Sequence, residues 1–147
     1  MENQIATGAD AQLIMKLYDL RREKVMRQAR LWVVFEFNPK TVEEFAAASQ
    51  DFASDHATWL RQVISYWEMA ASFVLHGAVN ADMYLANNGE GIFIYTKFSP
   101  FAAEIEARTG QPFMPLTAQM VEKFPGAKDR FQRITKMLAA RQMQNSK

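Results

Sequence analysis

Apolar residues recur at intervals of three and four along most of the chain, a period that predicts helices rather than strands. Leu13, Ile14, Leu17, Leu20, Val25, Ala29 and Trp32 form the first such series. With Asp10 as N-cap they predict one long helix that continues through 31–37 and ends before Pro39, because Asn38 precedes a proline and is biased away from helix. The run 31–37 is β-branched and aromatic and reads equally as a strand, but no second good strand is present to pair with it, so helix is preferred.

Thr41-Val-Glu-Glu44 is a capping box and opens a helix over 42–50. A longer helix starts at Ser54 or Asp55 and runs to Gly77, a natural left-handed stop. Asn80 caps a short helix over 81–87, ended by Asn87-Asn88-Gly89. The segment 91–98 favours strand by composition, yet it is short and partnerless and is read as helix. Ser99-Pro100 opens a helix closed by Gly110, and 111–116 is a loop with two prolines. Thr117, with Met120 where a capping box would have Glu, opens a helix that stops at Pro125-Gly126. Asp129 begins a last helix with Phe131, Ile134 and Leu138 on one face. No repeat or dividing linker interrupts this pattern. The expectation is a single all-α domain over 1–147, frayed at 1–9 and 143–147: an irregular bundle of about six or seven helices around a central helix at 55–77.

The central helix carries the most informative polar pattern. At 100° per residue, Arg61, Ser65, Glu68, Ser72 and His76 fall in a stripe about 80° wide, while almost all the rest of the circumference is apolar. A carboxylate on such a helix must be paired or exposed, since burying it alone costs several kcal/mol. The preferred reading is a structural network in which Glu68 meets an arginine, either Arg61, Arg22 or Arg108. The competing reading is a pocket in which Glu68 is a general base or binds a cation, with His76 or Tyr66 assisting.

Composition narrows the chemistry. At 49% hydrophobic and 22% charged the chain is ordinary globular protein, and without cysteine it has no disulfide, thiolate nucleophile or iron–sulfur cluster. Its two histidines, His56 and His76, are twenty residues apart with no Glu three residues before either, so neither zinc-protease nor di-iron spacing is present. Asp51, Asp55 and His56 make a weak metal cluster that ordinary helix-start carboxylates explain better. Phosphate-binding glycine loops and nucleophile elbows are missing, and neither a metal nor a cofactor is expected. No apolar run approaches membrane-spanning length and no secretory signal opens the chain, so a cytoplasmic location is expected.

The formal charge of +1 hides an uneven distribution: +4 over 16–30, −7 over 31–122 and +6 over 123–147. Two basic terminal helices flanking an acidic middle can dock on that middle or meet an acidic partner outside it. Nine methionines raise a related question, since exposure of Met114, Met120, Met137 or Met143 beside aromatic residues would mark a dimer or partner interface.

The string Arg61-x4-Tyr66-Trp67-Glu68-x8-Gly77, followed by Ser99-Pro100-Phe101 and Arg108, resembles an uncharacterised family of small helical bacterial proteins, a domain of unknown function. Glu23-x3-Arg27-x2-Arg30 is similar to that family's first helix, and the likeness spans roughly 13–124. It implies an all-helical fold and no reaction. Many members of that family carry an N-terminal membrane helix; none is expected within residues 1–147, so no membrane partner is expected. Mainly because no catalytic motif is found, the expected function is a non-enzymatic cytoplasmic protein acting through protein contacts, a homodimer among them. The first alternative is a small-molecule or hydrolytic pocket lined by Arg61, Tyr66, Glu68 and Arg108. The second is binding of an acidic partner, or less readily of nucleic acid, through the basic terminal helices.

Overall fold

The computed structural model describes residues 4–146 and contains, among these residues, nine α-helices, one π turn, one 3-10 turn and no strand. The expected first helix is three elements. Helix α1 (Gly8–Arg21) starts after Thr7, and Asp10 lies inside its first turn rather than at its cap. The Asp10 carboxylate accepts from Thr7 N at 2.7 Å and Thr7 Oγ1 at 3.1 Å, while its other oxygen takes Asn80 N at 2.7 Å. These bonds hold its carboxyl below the ordinary range, the bond from the Thr7 amide contributing most.

The break falls at Arg22-Glu23. Glu23 turns its carboxylate onto Val25 N (3.0 Å) and Met26 N (2.9 Å) and so starts α2 (Lys24–Leu31). Apolar spacing carries through this break, which is why the pattern reads as one helix. The segment is helical over 31–36, one residue short of the expected 31–37, and it widens into a π turn (Trp32–Glu36) closed by Phe37 N on Trp32 O at 2.8 Å, with Phe37 itself extended.

Helices α3 (Val42–Ser49), α4 (His56–Leu75), α5 (Ala81–Asn87) and α6 (Glu90–Phe98) fall where the pattern places them. The 3-10 turn Ser99–Phe101 leads into α7 (Ala102–Thr109), ended by Gly110 at φ 72°. Two further starts differ from expectation, both because a proline occupies the first helical position, where its missing N–H costs nothing. Helix α8 (Pro115–Lys123) begins two residues before Thr117, and α9 (Pro125–Asn145) begins four before Asp129. The short helices and the division of the first raise the count above six or seven. Residues 8 and 9 belong to α1, and α9 stays helical to Asn145. The fraying expected of 1–3 and 147 lies outside the described residues.

Helix α4 is central as expected: Leu60, Val63, Trp67, Ala70, Ala71 and Val74 are buried, and α2, α3, α6 and α8 pack around it. A single apolar cluster runs from Leu17 to Ala127. The ring of Trp67, 1% exposed, lies so close to Gly91 that an added Cβ there would stand 3.1 Å from it. Glycine at that point lets α6 approach α4. At the other end Trp32 stacks between Phe37 (4.5 Å) and His56 (4.2 Å), which gives His56 an aromatic packing role.

Candidate functional site

Among the described residues Glu68 meets no arginine. Its carboxylate reaches from α4 to the start of α8, accepting from Leu116 N at 3.0 Å, Thr117 N at 2.8 Å and Thr117 Oγ1 at 2.7 Å. The first amides of a helix lack internal acceptors and lie at the positive end of its dipole, so a carboxylate is as well satisfied there as beside a guanidinium. Met114, held at φ 44° immediately before Pro115, sets the backbone that presents these amides. A non-glycine residue in this region costs of order 1–3 kcal/mol and persists only where its surroundings fix it.

The other expected site residues are dispersed. Arg108 pairs with Glu43 on the surface at 2.6 Å, and the Arg61 side chain is exposed. His76 closes α4 with Nδ1 2.8 Å from Ser72 O. The Tyr66 hydroxyl donates to the Leu17 carbonyl, on the side of α4 facing α1, and its pKa is raised chiefly by burial. The structure therefore does not bring Arg61, Tyr66, Glu68 and Arg108 into one pocket. A shallow hollow of about 510 Å³ is lined by Leu75, His76, Leu116, Gln119, Glu122 and Lys123, and Glu68 is not among its walls.

The partly buried ion pair is elsewhere. Arg30 on α2 grips Glu90, the first residue of α6, through Nε–Oε2 at 2.7 Å and Nη2–Oε1 at 2.9 Å. Glu90 Oε2 also accepts from Trp67 Nε1 at 3.1 Å. The hydrogen bond to Glu90 holds the Arg30 guanidinium above its ordinary pKa against the cost of burial. Arg21 donates to Asn88 Oδ1 at 2.5 Å, and Arg130 on α9 donates to Asn88 O (2.8 Å) and Leu85 O (2.6 Å), closing the end of α5. Tyr84 is buried nearby and its hydroxyl pKa is raised strongly by desolvation.

Glu90 and Arg130 of this network also line an open groove of about 580 Å³ between α6, α9 and the π turn. Val34, Phe35, Phe93, Ile134 and Met137 supply its apolar surface; Arg130, Arg133 and Arg141 stand along α9; Gly89 and Glu90 close the base. Phe35 is 70% exposed and Met137 38%. The charge is one-sided. Both Glu90 oxygens are taken, and the ion pairs found among the described residues, Arg30–Glu90 and Arg108–Glu43, involve no α9 residue. The α9 helix thus docks through apolar contacts and Arg130's bonds to carbonyls, and among the described residues Arg133 and Arg141 form no ion pair.

The π-turn wall is secured from α6. Lys97 Nζ donates to Val33 O at 2.9 Å and Val34 O at 3.1 Å. The residue five beyond Val34 is Pro39, which has no N–H to offer, so the lysine supplies a donor the backbone lacks. Burial pulls the Lys97 ammonium down to about 8.

Sequence reasoning missed Glu90, Arg30, Arg130 and Lys97 as partners. Arg30 appeared in the family-like string, but nothing in spacing alone joins it to a residue sixty positions away. The uneven charge was the signal for α9, and Met137 was among the methionines singled out for exposure.

An all-helical bundle with an arginine-lined groove and no spanning helix is a broad class; among the described residues no helix is long and apolar enough to cross a membrane. The family described as a domain of unknown function, DUF4760, matches residues 6–124, and the chain belongs to it. No curated protein and no solved structure matches the chain. Helix α9 lies beyond the matched residues, so one wall of the groove comes from the family region and the other does not.

Proposed function

We propose that this protein is a non-enzymatic, cytoplasmic binding module whose working surface is the α6–α9 groove, and that its ligand is another protein. The observation that carries this is a row of arginines, Arg130, Arg133 and Arg141, with no ion pair among the described residues, beside exposed Phe35 and Met137. Large exposed apolar side chains next to charge are the signature of a contact surface. The same lining argues against acid–base work in the groove, since guanidinium groups do not titrate and the Glu90 carboxylate is committed to Arg30 and Trp67.

A homodimer through the same face is the second reading, favoured by Leu31, 53% exposed, one helical turn before Phe35. The test is a photo-crosslinking side chain placed in living cells at Met137 and, as control, at exposed Phe52. A discrete protein adduct at Met137 that is absent at Phe52 and is lost with Arg133→Glu/Arg141→Glu supports the reading. Equal labelling at the two positions, or no adduct, overturns it. An adduct of twice the protein's own mass, with light scattering showing the dimer, selects the second reading.

A further inference from the structure

We propose that the occupant of the α6–α9 groove is an acidic amphipathic helix of a partner protein, seated with its apolar face on Phe35, Phe93, Ile134 and Met137 and its carboxylates on Arg133 and Arg141. This rests on the reading of the groove as a protein-docking surface and adds the partner's chemistry.

Three features point to a helix rather than a small anion. From Arg130 to Arg141 the wall extends eleven residues, roughly 16 Å of α9, which is about three turns of a partner helix. That length accepts anchors at i, i+3 or i+4, and i+7, the spacing by which a helix reads an apolar groove. Arg133 and Arg141 are eight residues apart, roughly 12 Å along the axis, too far for one phosphate or carboxylate to bridge but matched by acidic residues about two turns apart on an opposing helix. Met137 lies midway between them on the same side of α9, so the two charges bracket an apolar contact.

Charge selects the sign of the partner. The groove's guanidinium groups form no ion pair with any carboxylate among the described residues, and α9 carries a single acid, Asp129, against five basic residues. Opposed charge across such a rim governs association rate and partner choice more than tightness, so a weak, salt-sensitive complex is expected. Because α9 lies outside the family match, this specificity belongs to the chain's own helix rather than to the matched region.

The test is fluorescence anisotropy with a labelled helical peptide of about fourteen residues, roughly 20 Å long, bearing leucines at i, i+4 and i+7 flanked by glutamates. Controls are the same peptide with every glutamate replaced by lysine and a scrambled peptide without an apolar face. The full chain should bind the acidic peptide at least about tenfold more tightly than either control, and raised salt should weaken it. Arg133→Glu/Arg141→Glu, both at exposed positions, should lower acidic-peptide affinity by about tenfold and raise that of the lysine peptide; Met137→Glu should weaken both. Equal binding of the acidic and scrambled peptides, or no reversal of preference in the double variant, overturns the proposal. So does tighter binding of oligouridine, or of vesicles containing phosphatidylserine, than of the peptide. If the Met137 crosslink in cells persists while the charge reversal fails, the docking surface stands and the acidic helix does not; if both fail, the docking reading falls with it.

Discussion

Glu68 and Thr117 are 49 residues apart in sequence, yet the Glu68 carboxylate accepts from both the backbone amide and the hydroxyl of Thr117, joining α4 to the first turn of α8. A residue that reads as a catalytic or ion-paired carboxylate is a helix cap supplied by another helix. Replacing Glu68 with Gln keeps an acceptor but removes the charge from three hydrogen bonds, a loss of about 1–2 kcal/mol. In a chain of this size that lowers the melting temperature by roughly 3–6 °C. Thr117→Val removes one donor, and the double variant should be less destabilised than the sum by about 0.5 kcal/mol or more, since the partners share one interaction. Strict additivity in calorimetry would show that the contact contributes nothing.

The central helix, its cap-defined neighbours α3 and α5, and the all-α class were legible because local signals agree with packing there: Thr41 and Asn80 bond their own helices as their residue types predict. Elsewhere the signals conflicted. Glu23 is an unusual capping side chain, and the apolar series Leu17, Val25, Ala29 passes through the break it creates. The sequence pattern points Glu68 to an arginine, but its donors are the Thr117 hydroxyl and backbone amides of a loop-to-helix junction shaped by Met114, and no spacing rule reports a backbone amide.

Gly91→Ala should destabilise the protein by about 1–2 kcal/mol. Alanine favours the helix by up to about 1 kcal/mol, but its methyl would sit 3.1 Å from a Trp67 ring already fixed by Glu90, and overpacking of this kind costs about 1–3 kcal/mol. Gly8→Ala is the contrast, because nothing lies within 4 Å of an added Cβ there; it should leave stability unchanged or raise it by about 0.5 kcal/mol. Urea unfolding of the pair reads both signs. A neutral Gly91→Ala would mean that α6 does not need that close approach.

The Arg30–Glu90–Trp67 triad sets a second contrast. Glu90→Leu removes the acceptor for a guanidinium whose side chain is 25% exposed and for an indole N–H on a residue 1% exposed. The arginine can turn toward water, but the indole cannot, so a loss of about 2–3 kcal/mol is expected. Glu90→Gln keeps an oxygen for the indole and should cost about 1 kcal/mol. Equal costs in urea titration would place the whole effect in the ion pair and none in the indole bond.

Lys97 gives the fold a pH dependence whose sign follows from its environment. Burial lowers its ammonium to about 8 against an ordinary lysine value of 10.5, while the Val33 and Val34 carbonyls, which favour the charged form, oppose the shift. Between those two values the unfolded chain holds a proton that the folded chain has released. Stability from this group therefore rises with pH across the window, is constant below about 8, and is constant again above 10.5. Lys97→Met lacks the titration, so the melting-temperature difference, wild type minus variant, should grow between about pH 8 and about pH 10. A difference that stays flat would show that the two carbonyls cancel the effect of burial. Because Val34 and Phe35 form one wall of the groove, the same substitution should also loosen that wall, and faster amide exchange at 33–38 in the variant would register it.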